Sequence, residues 1–536
     1  MKKNKFFNIY QKRKHHKNIG HKVMSLMLCL SLTMSFSGIS ARKQKWTAYA
    51  DEIEHSEMDW FAGESKDTAT IEDVITVQSE KTKLYLSESY TEEEQKAIDK
   101  IADYFSKGET SINISRYHIL QDDVPKIMEA AKEQNPMGWA AHKYTSRYEW
   151  GYIPSTGETT TIRLLDDYSK EEIQQRYVQL RTKVDEIRQS VPNGLAKDEI
   201  VLYIHDYIVY NTAYDIINLR NDSLPADVYS AYGSLINGVA VCQGYSEAMK
   251  LLLREYDIPV RIITSMQLNH AWNQVQLNGK WYHVDVTWDD PTMSNNTMIS
   301  PSEDIYGVCR HQNFLIDDSR AKMTGHIEWD YGFEPCTSTD YMDSLQKVCS
   351  RVYYVNGKWY YLYNAGNMNT YNVSLYVTDD IYGTNLTQNK VFGEDSGFDG
   401  CLGYYNKNFY MINEMDGGVY TISQDGNGYK NISQEIGSDN PVKELKVSDS
   451  GLLTYVYKGS SEEHTYQLSQ PEKIIVMDLN EDGMIDSTDA VLLKKYLAGT
   501  QNIEVNTKAA DINGDNAIDS TDAVLLMKYL AGYNIY

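Results

Sequence analysis

The chain of 536 residues has little cysteine, six residues in all, few prolines at 11, and no excess of positive charge, since 51 Lys and Arg stand against 75 Asp and Glu. Cysteines this sparse exclude a fold stapled by disulfides. A net charge of −24 excludes the basic footprint of a nucleic-acid binder. Long apolar runs are also missing, save one near the N-terminus. The first 22 residues hold eight Lys and Arg and no acid, and "VMSLMLCLSLTMSFSGIS" follows. Ser and Thr dilute this run too far for a membrane span, so residues 1–50 read as an export signal, cleaved after Ala41 or Ala50, and the protein reads as secreted and extracellular. Cleavage takes away eleven of the 51 basic residues and none of the 75 acidic ones, leaving 40 against 75, a net charge of −35. It also removes Cys29. Five cysteines remain, an odd number that leaves at least one thiol free, with the pairing of Cys309, Cys336, Cys349 and Cys401 open.

What is present is 42% apolar composition, enough to bury several cores. The expected fold class is α+β, with five stretches: the signal (1–50), a mainly helical region (51–195), a catalytic domain (196–345), a β-rich region (346–470) and a small helical calcium-binding module (474–536). In the helical region "TEEEQKAIDKIADYF" opens with Thr91 and Glu94 spaced as a capping box, and Ile98, Ile101 and Phe105 share one stripe. A longer helix places Ile173, Tyr177, Leu180, Val184, Ile187 and Val191 on one face. In the next apolar helix His205 reads as a structural histidine, because no second ligand lies at metal spacing near it in sequence. From about residue 345, short alternating runs rich in Tyr and Val and broken by Asn-Gly, Asp-Gly and Gly-Gly read as hairpins. They recur at the spacing of propeller blades, yet about three units do not close a ring. Their aromatic residues suit either strand packing or stacking on sugars, and packing is the more general explanation.

Chemistry concentrates between residues 239 and 290. In "VAVCQGYSEAMKLLLREYDIPV" a single cysteine, Cys242, opens a helix, where the dipole and a nearby imidazolium favour a negative sulfur. Downstream, "NHAWNQVQLNGKWYHVDVTWDDP" is two alternating runs joined by Asn278-Gly279, the dipeptide of a two-residue type I′ hairpin. With Leu277 facing Lys280, Trp272 faces Asp285 and His270 faces Thr287, so His270 and Asp285 become diagonal neighbours, ~7–8 Å apart along the backbone. Ala271, Val275, Leu277, Tyr282, Val284 and Val286 then form a core face, while His270, Gln274, His283 and Asp285 face a cleft. A Cys attacks an acyl carbon, a His moves the proton, and an Asp fixes the imidazole; backbone N–H groups at the helix start can hold the oxyanion. Each residue alone has a bland explanation as core or turn, and their conjunction is what points to catalysis. His283 is the weaker base, its cross-strand partner being Gln274.

These segments, with the trailing "HQNFLIDDSRAKMTGH", resemble the transglutaminase-like superfamily, in particular its secreted bacterial members, over about residues 196–330. The resemblance implies a papain-like fold with Cys242 as nucleophile, His270 as base and Asp285 as orienting acid, without a catalytic cofactor. It leaves open peptide hydrolysis, deamidation or transfer to an amine.

Near the C-terminus "DLNEDGMIDSTDAVLLKKYLAG" from Asp478 and "DINGDNAIDSTDAVLLMKYLAG" from Asp511 agree at 17 of 22 positions, 33 residues apart. Asp478, Asn480, Asp482, the Met484 carbonyl, Asp486 and Asp489 fall at calcium-loop positions 1, 3, 5, 7, 9 and 12, and Asp511, Asn513, Asp515, the Ala517 carbonyl, Asp519 and Asp522 repeat them. Hard oxygen donors at this spacing suit two Ca²⁺ ions. Leu492, Leu493, Tyr496 and Leu497 are expected in the module's core. Asp at position 12, Ser-Thr before it, and one helix after each loop resemble a type I dockerin, the module that docks enzymes on the cohesin domains of a cellulosomal scaffoldin. That resemblance implies that Ser487, Thr488, Lys494, Lys495, Ser520, Thr521 and Lys528 face the cohesin. The expected function is a secreted cysteine enzyme acting on protein or peptide amides, docked to a cellulosome. The alternative is polysaccharide binding or catabolism through the β-rich region, with cell-wall polysaccharide as partner and the transglutaminase-like domain non-catalytic.

Overall fold

The computed structural model describes residues 90–143, 147–291, 307–329, 333–342, 345–366, 372–383, 386–387, 390–392, 397–469, 476–480, 484–500, 503, 505–515 and 517–533. The expected signal, residues 51–89, Asp482 and Asn516 lie outside them. Two compact units result: the described residues up to Val447 with Thr454–Thr465, and Ser448–Leu453 with the residues from Tyr466 onward. The mixture of helices and small antiparallel sheets is α+β. Among the described residues no helix is long and apolar enough to cross a membrane.

Helix α1 (Glu92–Lys107) has its capping box, Glu94 N donating to Thr91 Oγ1 at 3.2 Å and Thr91 N to Glu94 Oε2 at 2.7 Å, and buries Ile98, Ile101 and Phe105. With α2 (Val124–Gln134) and α3 (Pro136–Ala141) comes a three-stranded sheet not expected from the sequence, ordered β1 (Ser111–Asn113), β3 (Thr159–Leu165), β2 (Arg147–Tyr152). The β-branched run "TTTIRLL" and the turn before it make this hairpin, and the inward Ile112, Ile162 and Leu164 share a core with α1 and α2.

Helix α4 (Lys170–Ser190) buries Ile173, Leu180, Val184 and Ile187, as its periodicity requires. Its last three turns pack in the same core as α5 (Lys197–Asn211), α7 (Cys242–Arg254) and the hairpin below, so no break in packing falls at residue 195. Glu133 of α2 joins the far end of α7, accepting from Lys250 Nζ at 3.0 Å and pairing with Arg254. The helical region also reaches the turn Ala226–Tyr229 through Arg176 of α4, whose guanidinium donates to Asp227 at 2.8 and 3.0 Å.

The β-rich region forms meander sheets, β9–β12 (Tyr353–Val355, Lys358–Asn364, Val373–Thr378, Lys390–Phe392) and β13–β16 (Phe398–Tyr405, Asn408–Asn413, Val419–Ser423, Lys430–Asn431), followed by β17–β19 (Val442–Val447, Leu452–Tyr457, Glu463–Gln467). Alternation divides β10 between two cores: Trp359 and Tyr361 pack in the core that holds α4, α5 and α7, Tyr360 and Leu362 with β13–β15. Trp359, Tyr360, Tyr361, Tyr376, Phe409 and Tyr410 are buried, so these aromatic rings are strand packing and offer no sugar platform.

Candidate active site

Two short strands, β4 (Ala213–Tyr214) and β5 (Val239–Ala240), pair in parallel, and β5 leads directly into α7. Val241 is extended and contributes no side-chain cap, so the N–H groups of the first turn, starting at Cys242, face outward without one. Gly244, two residues on, has a steric reason to be glycine. A Cβ there would lie 2.4 Å from Val228 O and 2.8 Å from Ala240 Cβ, while Val241 N donates to Val228 O at 2.9 Å. The helix start is thus pressed onto the turn Ala226–Tyr229, and the half-buried Cys242 thiol is fixed by that contact. Among the described residues no disulfide links any of the five cysteines.

The hairpin β7 (His270–Leu277) and β8 (Lys280–Val284) has the expected register, from Leu277 opposite Lys280 to Asn273 opposite Val284, around Asn278 and Gly279 at φ 51° and 77°. The ladder stops there. Trp272 does not pair with Asp285, nor His270 with Thr287. Asp285 instead caps the helical turn α8 (Val286–Asp289), its Oδ1 accepting from Trp288 N at 3.1 Å. Leaving the strand shortens a diagonal separation to a direct bond, His270 Nε2 donating to Asp285 Oδ2 at 2.7 Å. Nδ1 of the same ring remains for the thiol.

Burial works against charge on His270, but the Asp285 carboxylate and hydrogen bonds to Asp285 and Cys242 overcome it and raise its pKa to about 10. Burial likewise works against the Asp285 anion, and the His270 and His326 imidazoles hold its carboxyl well below the usual range. The pair is an imidazolium and a carboxylate, with Trp272 and Trp288 stacked on the His270 ring at 5.6 and 5.0 Å.

The expected division into core face and cleft face does not hold. His270, Gln274, His283 and Asp285 are all buried, because Ile263 and Trp272 pack with Ile316, Ala321 and Trp329 from a later segment and cover that face. His283 lies opposite Gln274, yet it also meets an acid, donating from Nε2 to Asp318 at 2.8 Å. Its Nδ1 accepts from Trp272 Nε1 at 2.9 Å, and burial lowers its pKa, so it is neutral and fully engaged.

Two residues escaped the sequence reading. His326, last in "DDSRAKMTGH", donates from Nε2 to the same Asp285 Oδ2 at 2.8 Å, with its ring 4.1 Å from that of Trp288. Tyr214 sits beside the thiol: burial, and then the charge of Cys242, push its phenol up, so it keeps its proton. His326 stood within a quoted segment, whereas Tyr214 carried no signal.

In the smaller unit, the sequence repeat is a structural one. Asp489 Oδ1 accepts from Leu479 N at 2.7 Å and Asn480 N at 3.3 Å, and Oδ2 from Asp486 N at 2.9 Å; Asp522 takes Ile512, Asn513 and Asp519 N–H groups at 2.8, 3.3 and 2.8 Å. Both carboxylates are fully buried, and their partners among the described residues are backbone N–H groups, so each leaves lone pairs and a negative charge for a cation to meet. Asp478, Asn480, Asp486, Asp511, Asn513, Asp515 and Asp519, and the carbonyls of Met484 and Ala517, lie in these two loops. The donor set fits calcium. Helices α10 (Ser487–Leu497) and α12 (Ser520–Leu530) follow the loops, with Leu493 and Leu526 in the core. Tyr496 and Leu497 do not join it: they lie at the surface, as do Tyr529 and Leu530. One face of a short helix suffices for so small a core. Ser487, Thr488, Lys494, Lys495, Ser520, Thr521 and Lys528 are exposed as well.

A thiol at a bare helix start, an imidazole and a carboxylate behind it have the layout of a thiol-dependent acyl-transfer site. The family comparisons are more particular. Residues 181–286 match the transglutaminase-like superfamily and residues 476–531 the dockerin type I domain, so the chain carries a transglutaminase-like domain and a type I dockerin. Type I dockerins bind calcium and pair with cohesins. Among solved structures, a type I cohesin–dockerin complex from Clostridium thermocellum matches at 33% identity over 12% of this chain and all of that one, with a TM-score of 0.12. A structure described as a TGase matches at 13% identity over 29% of this chain and 48% of that one, TM-score 0.20. One described as a candidate cysteine protease, from Cytophaga hutchinsonii, matches at 20% identity over 26% of this chain and 62% of that one, TM-score 0.17. The chain thus spans about half and three fifths of the last two. No curated protein matches.

Proposed function

We propose that this protein is a secreted, cellulosome-docked cysteine enzyme that forms a thioester between Cys242 and the acyl part of a protein or peptide amide. The observation that carries the reading is the buried 2.7 Å bond from His270 to Asp285, with the opposite edge of the ring turned to Cys242. In the first step the sulfur attacks the amide carbon, the His270 imidazolium gives its proton to the departing nitrogen, and the C–N bond breaks. First-turn N–H groups of α7 receive the oxyanion. Water or an amine then attacks the thioester, its proton passes to His270, and the C–S bond breaks with its electron pair left on sulfur, which restores the starting pair. Asp285 keeps the ring oriented throughout and stabilises its charged form before the first proton transfer and after the second, while the dockerin, loaded with two calcium ions through the loop residues named above, holds the enzyme on a cohesin.

Parent and Cys242→Ala proteins, incubated with cell-surface protein, should differ in new cleavages, ammonia release or amine incorporation, read by mass spectrometry. Equal activity of the two in all three readouts would overturn the catalytic reading.

A further inference from the structure

His205, read from the sequence as isolated, is not. Cys309 and His311, a hundred residues later, meet His205 and its neighbour Asp206, and all four side chains are buried. His205 Nδ1 lies 2.8 Å from Asp206 Oδ1, His311 Nε2 lies 2.9 Å from that same oxygen, and Cys309 Sγ lies 3.5 Å from it and 4.0 Å from His311 Nε2. The four donor atoms fall within 4.8 Å of one another.

The outward-facing atoms are held in place. His311 Nδ1 faces the Val348 carbonyl at 3.3 Å, and Asp206 Oδ2 accepts from Val352 N at 2.7 Å. His205 Nε2 lies 3.3 Å from Asp289 Oδ2, without the alignment of a hydrogen bond. A ligating imidazole usually turns one nitrogen to the ion and presents the other to a carboxylate or carbonyl. Both rings here have that disposition, with Asp289 and Val348 as the outer partners. The other buried His, Asp and Cys cluster, at His283, does not: both ring nitrogens are bonded, and Cys336 meets Asp318 through its backbone N–H.

We propose that His205 Nδ1, Asp206 Oδ1, Cys309 Sγ and His311 Nε2 bind one zinc ion as a closed, four-ligand structural site. Two nitrogens, a sulfur and one carboxylate oxygen suit zinc and are poor ligands for calcium. Binding releases the thiol proton and leaves a thiolate–zinc bond. Asp289, the last residue of α8, faces His205, and Asp285 caps the start of that same turn. The ion thereby braces the turn that carries Asp285 against α5.

The test uses the full chain, produced with zinc and dialysed into calcium buffer. Elemental analysis should find one zinc per chain in the parent and in Cys242→Ser, and loss of the retained zinc in Cys309→Ser and His311→Gln. Cobalt in place of zinc should give a thiolate charge-transfer band in the parent and Cys242→Ser that Cys309→Ser lacks. Folded parent protein with neither zinc nor a cobalt band would overturn the proposal and leave a hydrogen-bonded cluster alone. So would a cobalt band that survives Cys309→Ser. The parent measurements decide the matter even where a variant fails to fold.

Discussion

Replacing Asp285 by Asn keeps the shape of the side chain and removes the charge between two imidazoles. Breaking one side of a buried ion pair costs about 3–5 kcal/mol. With an unfolding entropy of about 2.1 cal/mol/K per residue and a unit of roughly 350 residues, this lowers its Tm by about 4–7 °C. The pH dependence is more diagnostic. His270, raised to about 10, contributes stability in full below the unfolded value of about 6.5 and loses it as pH rises through about 10. Asp285, held below the usual carboxylate range, contributes above the unfolded value of about 3.9 and loses its contribution as pH falls through the lowered value. The deficit of Asp285→Asn should therefore be largest between about pH 4 and 6.5 and shrink towards pH 10. Differential scanning calorimetry of the full chain measures it. A deficit below about 1 °C at pH 6, or one that grows on the alkaline side, would refute the assignment of an imidazolium–carboxylate pair.

Gly244→Ala places a Cβ 2.4 Å from a backbone oxygen, so it should cost about 1–3 kcal/mol in thermal unfolding and slow alkylation of Cys242 by displacing the helix start. His326→Ala removes one of the two imidazoles on Asp285 and should lower acyl-transfer activity roughly 10–100-fold, from about 1.5–3 kcal/mol for a hydrogen bond to a charged group, with His326→Gln closer to the parent. Excess EDTA should abolish cohesin binding in calorimetric titration and reduce helical circular dichroism, because buried Asp489 and Asp522 lose their counter-charge; binding that persists would contradict calcium dependence.

Local chemistry made much of this protein legible in its sequence. A capping box with apolar periodicity placed α1, and periodicity alone placed α4, because the pattern that buries one face of a helix repeats within a few residues. Asn278-Gly279 set the hairpin register, because only a turn with two positive φ values joins those strands closely. Fixed spacing of oxygen donors marked the calcium loops. His270 and Asp285 could be expected to meet because they lie at the open end of one hairpin, and the structure brings them to 2.7 Å.

Tertiary structure decided what depends on distant residues. Asp285 leaves the strand because it caps α8, which alternation along β8 does not encode. Both faces of the hairpin are buried because residues 314–329 return to cover one of them, so the cleft expected on that side is filled. His326 reaches Asp285 across 41 residues, and His311 and Cys309 reach Asp206 across more than a hundred. A histidine that is solitary by sequence spacing becomes part of a four-residue cluster only when chain segments without local signals are packed together, since burial and convergence are properties of the folded core and not of any window along the chain.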